Sequence, residues 1–167
     1  MFKITEKNYK RIIRFFRERY FAFNALKFCY VFLPLVLFIS YPVLIVYVCF
    51  SYPVDLFKII FIPLGVFLLV TALRKIINEQ RPYEKYNTSS LFGKTTTGQS
   101  MPSRHTASAF IISFAIFYIN VELGIVSLSI SLLISLSRVL AGVHFIRDVL
   151  AAMLLSITVG VLFFFII

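Results

Sequence analysis

Cysteine and charged residues are both scarce in this sequence. The 167 residues include two cysteines, Cys29 and Cys49, and both lie in the first long apolar stretch. This argues against a disulfide framework and against a thiolate metal site. Charged residues make up 14% of the chain and hydrophobic residues 60%, whereas soluble domains are about a quarter charged and about half apolar. The composition therefore indicates a protein of the lipid bilayer, most simply with one domain.

Acidic residues are the scarcest charged group. The sequence has 7 of them and 17 lysines and arginines, which gives a formal net charge of +10. The positive residues are confined to the N-terminal segment and to the polar segments between apolar stretches. That distribution favours anionic lipid as the partner and argues against nucleic acid. No constellation of Asp and His typical of a metal site is visible, so no metal or other cofactor is expected.

Long apolar stretches determine the predicted fold class. About twenty apolar residues suffice to cross a hydrocarbon layer about 30 Å thick. We predict an all-α, polytopic membrane helix bundle with about five transmembrane helices, the third being the shortest. These cover approximately residues 25–50, 54–73, 106–119, 123–140 and 148 onward. No cleavable signal peptide is expected, because about twenty basic and amphipathic residues precede the first apolar run.

The N-terminal segment has helical periodicity. Apolar residues recur every three or four positions, and basic residues fill the other face: Tyr9, Ile12, Ile13, Phe16, Tyr20 and Phe23 against Lys7, Lys10, Arg11, Arg14 and Arg17. We predict a basic amphipathic helix on the membrane surface over residues 1–24, followed by a transmembrane domain over residues 25–167. The alternative is a plain positive-inside anchor without lipid specificity.

Three polar clusters lie at the ends of the predicted spans. In the first, Arg74 and Arg81 are seven residues apart, which is close to two helical turns, and Pro82 is expected to end the helix at Arg81. Two like charges on one face make sense if an anion lies between the guanidiniums. The alternative is that both are ordinary flanking charges of a membrane helix.

The second cluster, residues 101–106, lies where the polar loop enters the third span. Pro102 and Ser103 suit a helix start, whose free N–H groups attract anions, and His105 falls in the first turn. In the third cluster, His144 and Asp148 are four residues apart, so a continuous helix would let the carboxylate orient the imidazole. Arg138 would reach the same place from the preceding span. A structural histidine and a self-neutralising ion pair are the alternatives.

The polar loop, residues 82–101, contains Gly93, Lys94 and Thr95, which resemble the end of a phosphate-binding loop. The upstream glycine of that motif is missing, because position 88 is threonine, and a helix precedes the loop. We therefore predict no nucleotide site. With an up-and-down path of the spans, however, the three clusters lie on one membrane face. Both histidines and at least three arginines are then expected to converge on one pocket.

These clusters resemble the three signatures of the type 2 phosphatidic acid phosphatase superfamily: Lys-x6-Arg-Pro, Pro-Ser-Gly-His and Ser-Arg-x5-His-x3-Asp. Ser137, Arg138, His144 and Asp148 match the last signature in full, and the resemblance covers roughly residues 54–167. Two positions depart from the pattern. Arg74 occupies the lysine position, with Lys75 as the less favoured candidate. Arg104 replaces the glycine, and either contacts the head group or faces solvent.

The resemblance implies a metal-independent lipid phosphatase. His144 would attack phosphorus to form a phosphohistidine, His105 would protonate the leaving oxygen, and Asp148 would orient His144. Phosphate would be held by basic residues and by one hydroxyl: Arg74, Lys75, Arg81, Arg104, Arg138 and Ser103. The alternative is a membrane protein that binds or transports anionic lipid without cleaving it.

The sequence leaves the lipid open among phosphatidic acid, phosphatidylglycerol phosphate and a polyprenyl diphosphate, and it leaves the oligomeric state undetermined. With five spans, the N-terminus shares a face with the active site. Up to Lys27 this region carries eight lysines and arginines, whereas the opposite face has only Lys58. Because positive residues favour the cytoplasm, we predict a cytoplasmic active site in the cell membrane.

Overall fold

The computed structural model describes residues 5–167, and these form a bundle of α-helices without strands. Two short N-terminal helices, α1 (Glu6–Glu18) and α2 (Tyr20–Lys27), are followed by a π-helical turn (Phe28–Phe32) that continues into α3 (Leu33–Ser51). After four intervening residues, α4 (Leu56–Ile77) runs back across the bundle. The short α5 (Pro82–Lys85) then leads into the polar loop.

The second half of the chain consists of α6 (Arg104–Ile119), α7 (Val121–Leu140) and α8 (Ile146–Val161), which ends in a further π-helical turn (Leu162–Ile166). Four helical segments of 20 to 33 residues are long and apolar enough to cross a membrane, and α6 is a shorter apolar helix. The predicted all-α membrane bundle is therefore confirmed, and the third span is the shortest, as expected.

Helix α6 lies in the centre of the bundle and packs against α3, α4, α7 and α8. Small residues allow this. Three serines spaced four residues apart on α7, Ser127, Ser131 and Ser135, are buried. The Ser131 hydroxyl is 2.9 Å from that of Ser113 on α6. A Cβ atom at Gly124 of α7 would lie 2.3 Å from the Phe117 Cα atom of α6. Close approach of this kind is typical of packing between membrane helices, where small residues take the place of large apolar ones.

The end of α4 differs from the prediction. The helix ends at Ile77, and Asn78 follows in the left-handed conformation with φ 42° and ψ 43°, which asparagine tolerates better than most residues. Pro82 restricts Arg81 but does not determine where the helix stops. Arg74 and Arg81 are therefore not on one continuous helix face, because the non-helical residues 78–81 interrupt the helix before Arg81.

The N-terminal segment is divided in two by Arg19, which is extended with φ −117° and ψ 102°. Tyr9 and Ile13, on the apolar face of α1, are buried against protein rather than left for lipid. Their partners include Ala141 and Val143 in the connection between α7 and α8. The membrane-surface position of this segment stays a prediction, and residues 1–4 lie outside the described residues.

Candidate active site

A small cavity lies where the ends of α4, α6 and α7 meet the connection between α7 and α8. Its volume is about 50 Å³, and a buried water needs roughly 10–15 Å³, so a group the size of phosphate fits. Five of its nine lining residues are cationic and none is acidic, a lining that attracts anions. The nine are Tyr30, Arg74, Arg81, Lys94, Arg104, His105, Arg138, Val143 and His144.

Neutral carbonyl oxygens position two of the arginines. The Arg74 Nη1 atom donates to the Pro102 oxygen at 2.8 Å and to the Ser100 oxygen at 3.4 Å. The Arg81 Nε atom donates to the Gly98 oxygen at 3.0 Å. A carbonyl oxygen fixes a guanidinium without cancelling its charge, so the charge remains available to an anion in the cavity.

Arg138 reaches the cavity from the last turn of α7. Its Nη2 atom donates to the backbone carbonyl oxygen of Tyr30 at 2.9 Å. Its guanidinium carbon lies 4.0 Å from the centroid of the Tyr30 ring, a cation–π contact. The Arg138 side chain is buried, and its Nε atom has no hydrogen-bond partner among the described residues. A buried charged donor without a partner calls for an explanation, and an anion oxygen in this cavity provides one.

His144 lies in the turn between α7 and α8, and its Nδ1 atom is 3.6 Å from the Asp148 Oδ2 atom. That oxygen also accepts hydrogen bonds from the Ser100 hydroxyl at 2.5 Å and from the Phe145 backbone at 2.9 Å. No continuous helix runs through the pair, since α8 begins at Ile146, and the turn itself brings the two side chains together. The carboxylate favours the tautomer with its proton on Nδ1, which leaves Nε2 free.

Burial lowers the pKa of His144 to about 4. The hydrogen bond that His144 donates to the Asp148 carboxylate opposes this shift, whereas the charges of Arg81 and Arg74 add to it. The ring is therefore neutral near pH 7, and its Nε2 atom keeps the lone pair that a nucleophile needs.

His105 lies in the first turn of α6 and lines the same cavity. Its ring centroid is 6.2 Å from that of Phe38 on α3. Ser103 caps the helix: its hydroxyl accepts hydrogen bonds from the Thr106 backbone at 3.5 Å and the Thr106 hydroxyl at 3.1 Å. The Ser103 backbone N–H donates to the backbone carbonyl oxygen of Asp148 at 3.0 Å. These bonds place the start of α6, with its free N–H groups, beside the turn that carries His144.

The model of the PAP2 superfamily matches residues 55–167, the part of the chain that contributes every lining residue of the cavity except Tyr30. The chain belongs to the PAP2 superfamily. Undecaprenyl-diphosphatase BcrC of Bacillus subtilis (strain 168) is 34% identical over 86 residues, which are 52% of this chain and 44% of that protein. The match thus spans less than half of that relative's length.

Two solved structures share the fold. The crystal structure of Aquifex aeolicus LpxE superposes with a TM-score of 0.74 at 21% identity and covers 96% of this chain and 94% of LpxE. The PAP2-type phosphatidylglycerolphosphate phosphatase of Bacillus subtilis superposes with a TM-score of 0.51 at 18% identity and covers 94% of this chain and 73% of that one. At these identities the likeness concerns the fold.

The fold of this PAP2 protein brings most of the predicted site residues together. Six line the cavity: Arg74, Arg81, Arg104, His105, Arg138 and His144. Asp148 contacts His144 from outside the lining, and the Ser103 hydroxyl is occupied as a helix cap rather than lining the cavity. Lys75 is exposed and outside the lining, because it follows Arg74 by about 100° around α4.

Arg104 is the first residue of α6, and it is not among the residues with positive φ. The position where the family pattern has glycine therefore does not require a glycine conformation in this chain. The Arg104 side chain lines the cavity and adds a cation to it.

Sequence reasoning missed Lys94, Ser100 and Tyr30. The Gly93-Lys94 pair was considered only as part of a nucleotide loop, yet Lys94 lines the cavity. Partial burial and the nearby arginines lower its pKa. Ser100 directly precedes the second motif, and no sequence pattern indicated its bond to Asp148. Tyr30 lies in an apolar segment, so its polar contact with Arg138 left no signal either.

We expect the two neighbouring basic residues of α4 to differ in anion binding. Arg74→Gln removes a cation from the cavity and should weaken the binding of inorganic phosphate to the purified protein about tenfold or more. Lys75→Gln makes the same charge change one residue away, outside the lining, and should leave the affinity nearly unchanged. Titration calorimetry measures both. Equal losses of phosphate affinity in the two variants would mean that binding depends on the net charge of the protein and not on the position of Arg74.

The chain has two histidines, so the ionisation of His144 can be observed alone in a His105→Gln variant. Nitrogen NMR of the ring should show a neutral imidazole down to about pH 5, because the folded pKa is about 4 against about 6.5 when unfolded. The folded state thus binds fewer protons, and its stability should fall as the pH drops from about 7 towards 4. A midpoint near 6.5 would contradict the buried position of this ring.

Proposed function

We propose that this PAP2 protein hydrolyses a lipid phosphate or lipid diphosphate without a metal ion. The observation that supports this most is the cavity lining itself, which combines two histidines with five cations and has no carboxylate. Cations hold the phosphoryl oxygens, and the imidazoles carry out nucleophilic attack and proton transfer.

In the proposed reaction, the His144 Nε2 atom attacks phosphorus and the bond from phosphorus to the lipid oxygen breaks. His105 donates a proton to that oxygen, so the lipid leaves as a neutral alcohol, or as a monophosphate if the substrate is a diphosphate. In the second step His105 takes a proton from water, the water oxygen attacks the phosphohistidine, and inorganic phosphate leaves with His144 restored. A positioned acid or base contributes roughly 10² to 10⁴-fold.

The arginines stabilise the charge that develops on the equatorial phosphoryl oxygens. Arg74, Arg81 and Arg138 surround the cavity from three different helix ends. Their geometry is fixed before substrate arrives, and such preorganised donors are commonly the largest contribution to catalysis. In phosphoryl transfer this charge is often balanced by magnesium, and we propose that the guanidiniums take that part.

An apolar groove beside the cavity supports a lipid substrate. It measures about 440 Å³ and lies between α3, α4 and α6. Phe38, whose ring is 6.2 Å from that of His105, lines the groove, and so does Ser108, one helical turn beyond His105. A substrate with phosphate in the cavity can therefore lay a hydrocarbon chain into this groove. Apolar surface of this kind binds a chain chiefly by removing it from water.

Polyprenyl diphosphates are the first substrates to test, because BcrC is named an undecaprenyl-diphosphatase and matches half of this chain. Phosphatidic acid and phosphatidylglycerol phosphate complete the panel. The competing function, binding or transport of an anionic lipid without cleavage, uses the same cations but does not require an orienting Asp148 behind His144.

We expect His144→Gln to abolish catalysis while preserving anion binding. Phosphate release from the lipid panel should fall at least about 10³-fold, because the nucleophile is lost. Binding of inorganic phosphate should persist, since the arginines remain. The wild-type assay is run in excess chelator and should keep full activity. Full phosphate release by the variant, or loss of wild-type activity in chelator, would refute the mechanism.

The cytoplasmic position of the active site stays a prediction, and the contacts of α1 provide its support. Tyr9 of α1 donates to the Gly142 oxygen at 3.2 Å, so the basic N-terminal helix lies at the same end of the bundle as the cavity. A reporter fused before α1 is expected to be cytoplasmic, because basic residues are retained on that side. An extracellular reporter would place the cavity outside the cell.

A further inference from the structure

A second polar cavity lies between the basic face of α1 and the start of the polar loop. Its volume is about 380 Å³, and it shares no lining residue with the candidate active site. Three basic residues, one acidic residue and three hydroxyl-bearing residues are among those that line it. The lining residues are Tyr9, Lys10, Ile13, Arg14, Arg17, Glu18, Thr88 and Ser89.

The two arginines of this cavity keep their charge available. Among residues 5–167, neither Arg14 nor Arg17 forms an ion pair with a carboxylate, whereas Lys10 pairs with Glu6 at 2.6 Å. The Arg17 Nη2 atom donates to the Ser89 hydroxyl at 3.2 Å, which joins the helix to the loop. Guanidiniums next to hydroxyl groups match the oxygens of a phosphodiester.

We propose that this cavity binds the head group of an anionic phospholipid. Any phosphate group could make the same contacts with these arginines and hydroxyls. The surroundings of the cavity favour the phosphate of a lipid head group. One residue separates α1 from α2, where the first membrane-crossing segment begins. Tyr20 and Phe21, at the start of that segment, are each 86% exposed. Large apolar side chains left open beside a basic cavity are typical of a membrane interface.

Two lining residues of α1, Tyr9 and Ile13, also pack on the turn that carries His144. Tyr9 donates to the Gly142 oxygen, and Ile13 belongs to a buried cluster with Ala141 and Val143. Gly142 has a φ of 73°, and a Cβ atom there would lie 2.4 Å from the Tyr9 hydroxyl oxygen. A head group that joins α1 to the polar loop therefore holds the helix on this turn and stabilises the position of the His144 ring.

The test compares two double variants of the same helix. Arg14→Gln with Arg17→Gln removes two lining cations, whereas Lys7→Gln with Arg11→Gln removes two exposed cations outside the lining. Both variants lose the same charge, so the general attraction of the helix to an anionic membrane weakens equally. Any difference in lipid binding between the two variants is therefore due to the lining of the cavity.

Native mass spectrometry of the detergent-purified proteins, with phosphatidylglycerol as the probe, counts bound lipid. The wild type and the Lys7/Arg11 variant should retain one phosphatidylglycerol that the Arg14/Arg17 variant binds about tenfold or more weakly. The measurement is repeated in His144→Gln protein, so it does not depend on the proposed catalysis. Equal retention by the two double variants overturns the proposal. Displacement of the lipid by millimolar inorganic phosphate overturns the assignment to a lipid.

The effect on the His144 turn rests on the proposed function and is measured in vesicles. Adding phosphatidylglycerol to phosphatidylcholine vesicles should raise kcat several-fold for the wild type and the Lys7/Arg11 variant, and should leave the Arg14/Arg17 variant unchanged. Equal stimulation of both double variants overturns the link to the turn.

Discussion

Repulsion between like charges is the constraint on which this structure depends. Five cationic side chains surround a cavity of about 50 Å³, and no acidic residue lines it. Their repulsion favours separation, and burial adds a desolvation cost. Arg74 and Arg81 are held in place by backbone carbonyl oxygens, and Arg138 by the ring of Tyr30. These neutral partners fix the direction of each guanidinium without removing its charge. The excess positive charge therefore remains available to an anionic ligand.

This constraint explains why the polar loop is folded rather than open. The Ser100 backbone N–H donates to the backbone carbonyl oxygen of Glu79 at 2.8 Å. The Gly98 backbone N–H donates to the Glu84 carboxylate at 2.8 Å. These bonds direct the carbonyl groups of the loop towards Arg74 and Arg81. The loop thus contributes carbonyl acceptors from its backbone in addition to Lys94. A shorter loop that connected α4 and α6 directly would leave both guanidiniums without these partners.

The predictable part of the site was the part attached to regular helices. Arg74, His105 and Arg138 lie in end turns of helices that hydropathy locates, so the span order alone placed them at one end of the bundle. Lys94 and Ser100 belong to a loop whose path is set by individual hydrogen bonds, and such a path leaves no periodic signal. The end of α4 was mispredicted for the same reason, since a left-handed Asn78 is a local backbone choice.

The short central helix has a consequence for how substrate is reached. With 16 residues at about 1.5 Å each, α6 spans roughly 24 Å, less than the hydrocarbon thickness of about 30 Å. Its far end is anchored where the Tyr118 hydroxyl donates to Asp55 at 2.8 Å. If that contact marks one interface, His105 lies several ångströms inside the other. For the proposed lipid phosphate substrate, this means sideways entry from its own leaflet, with its phosphorus arriving at the depth of His105 without extraction into water.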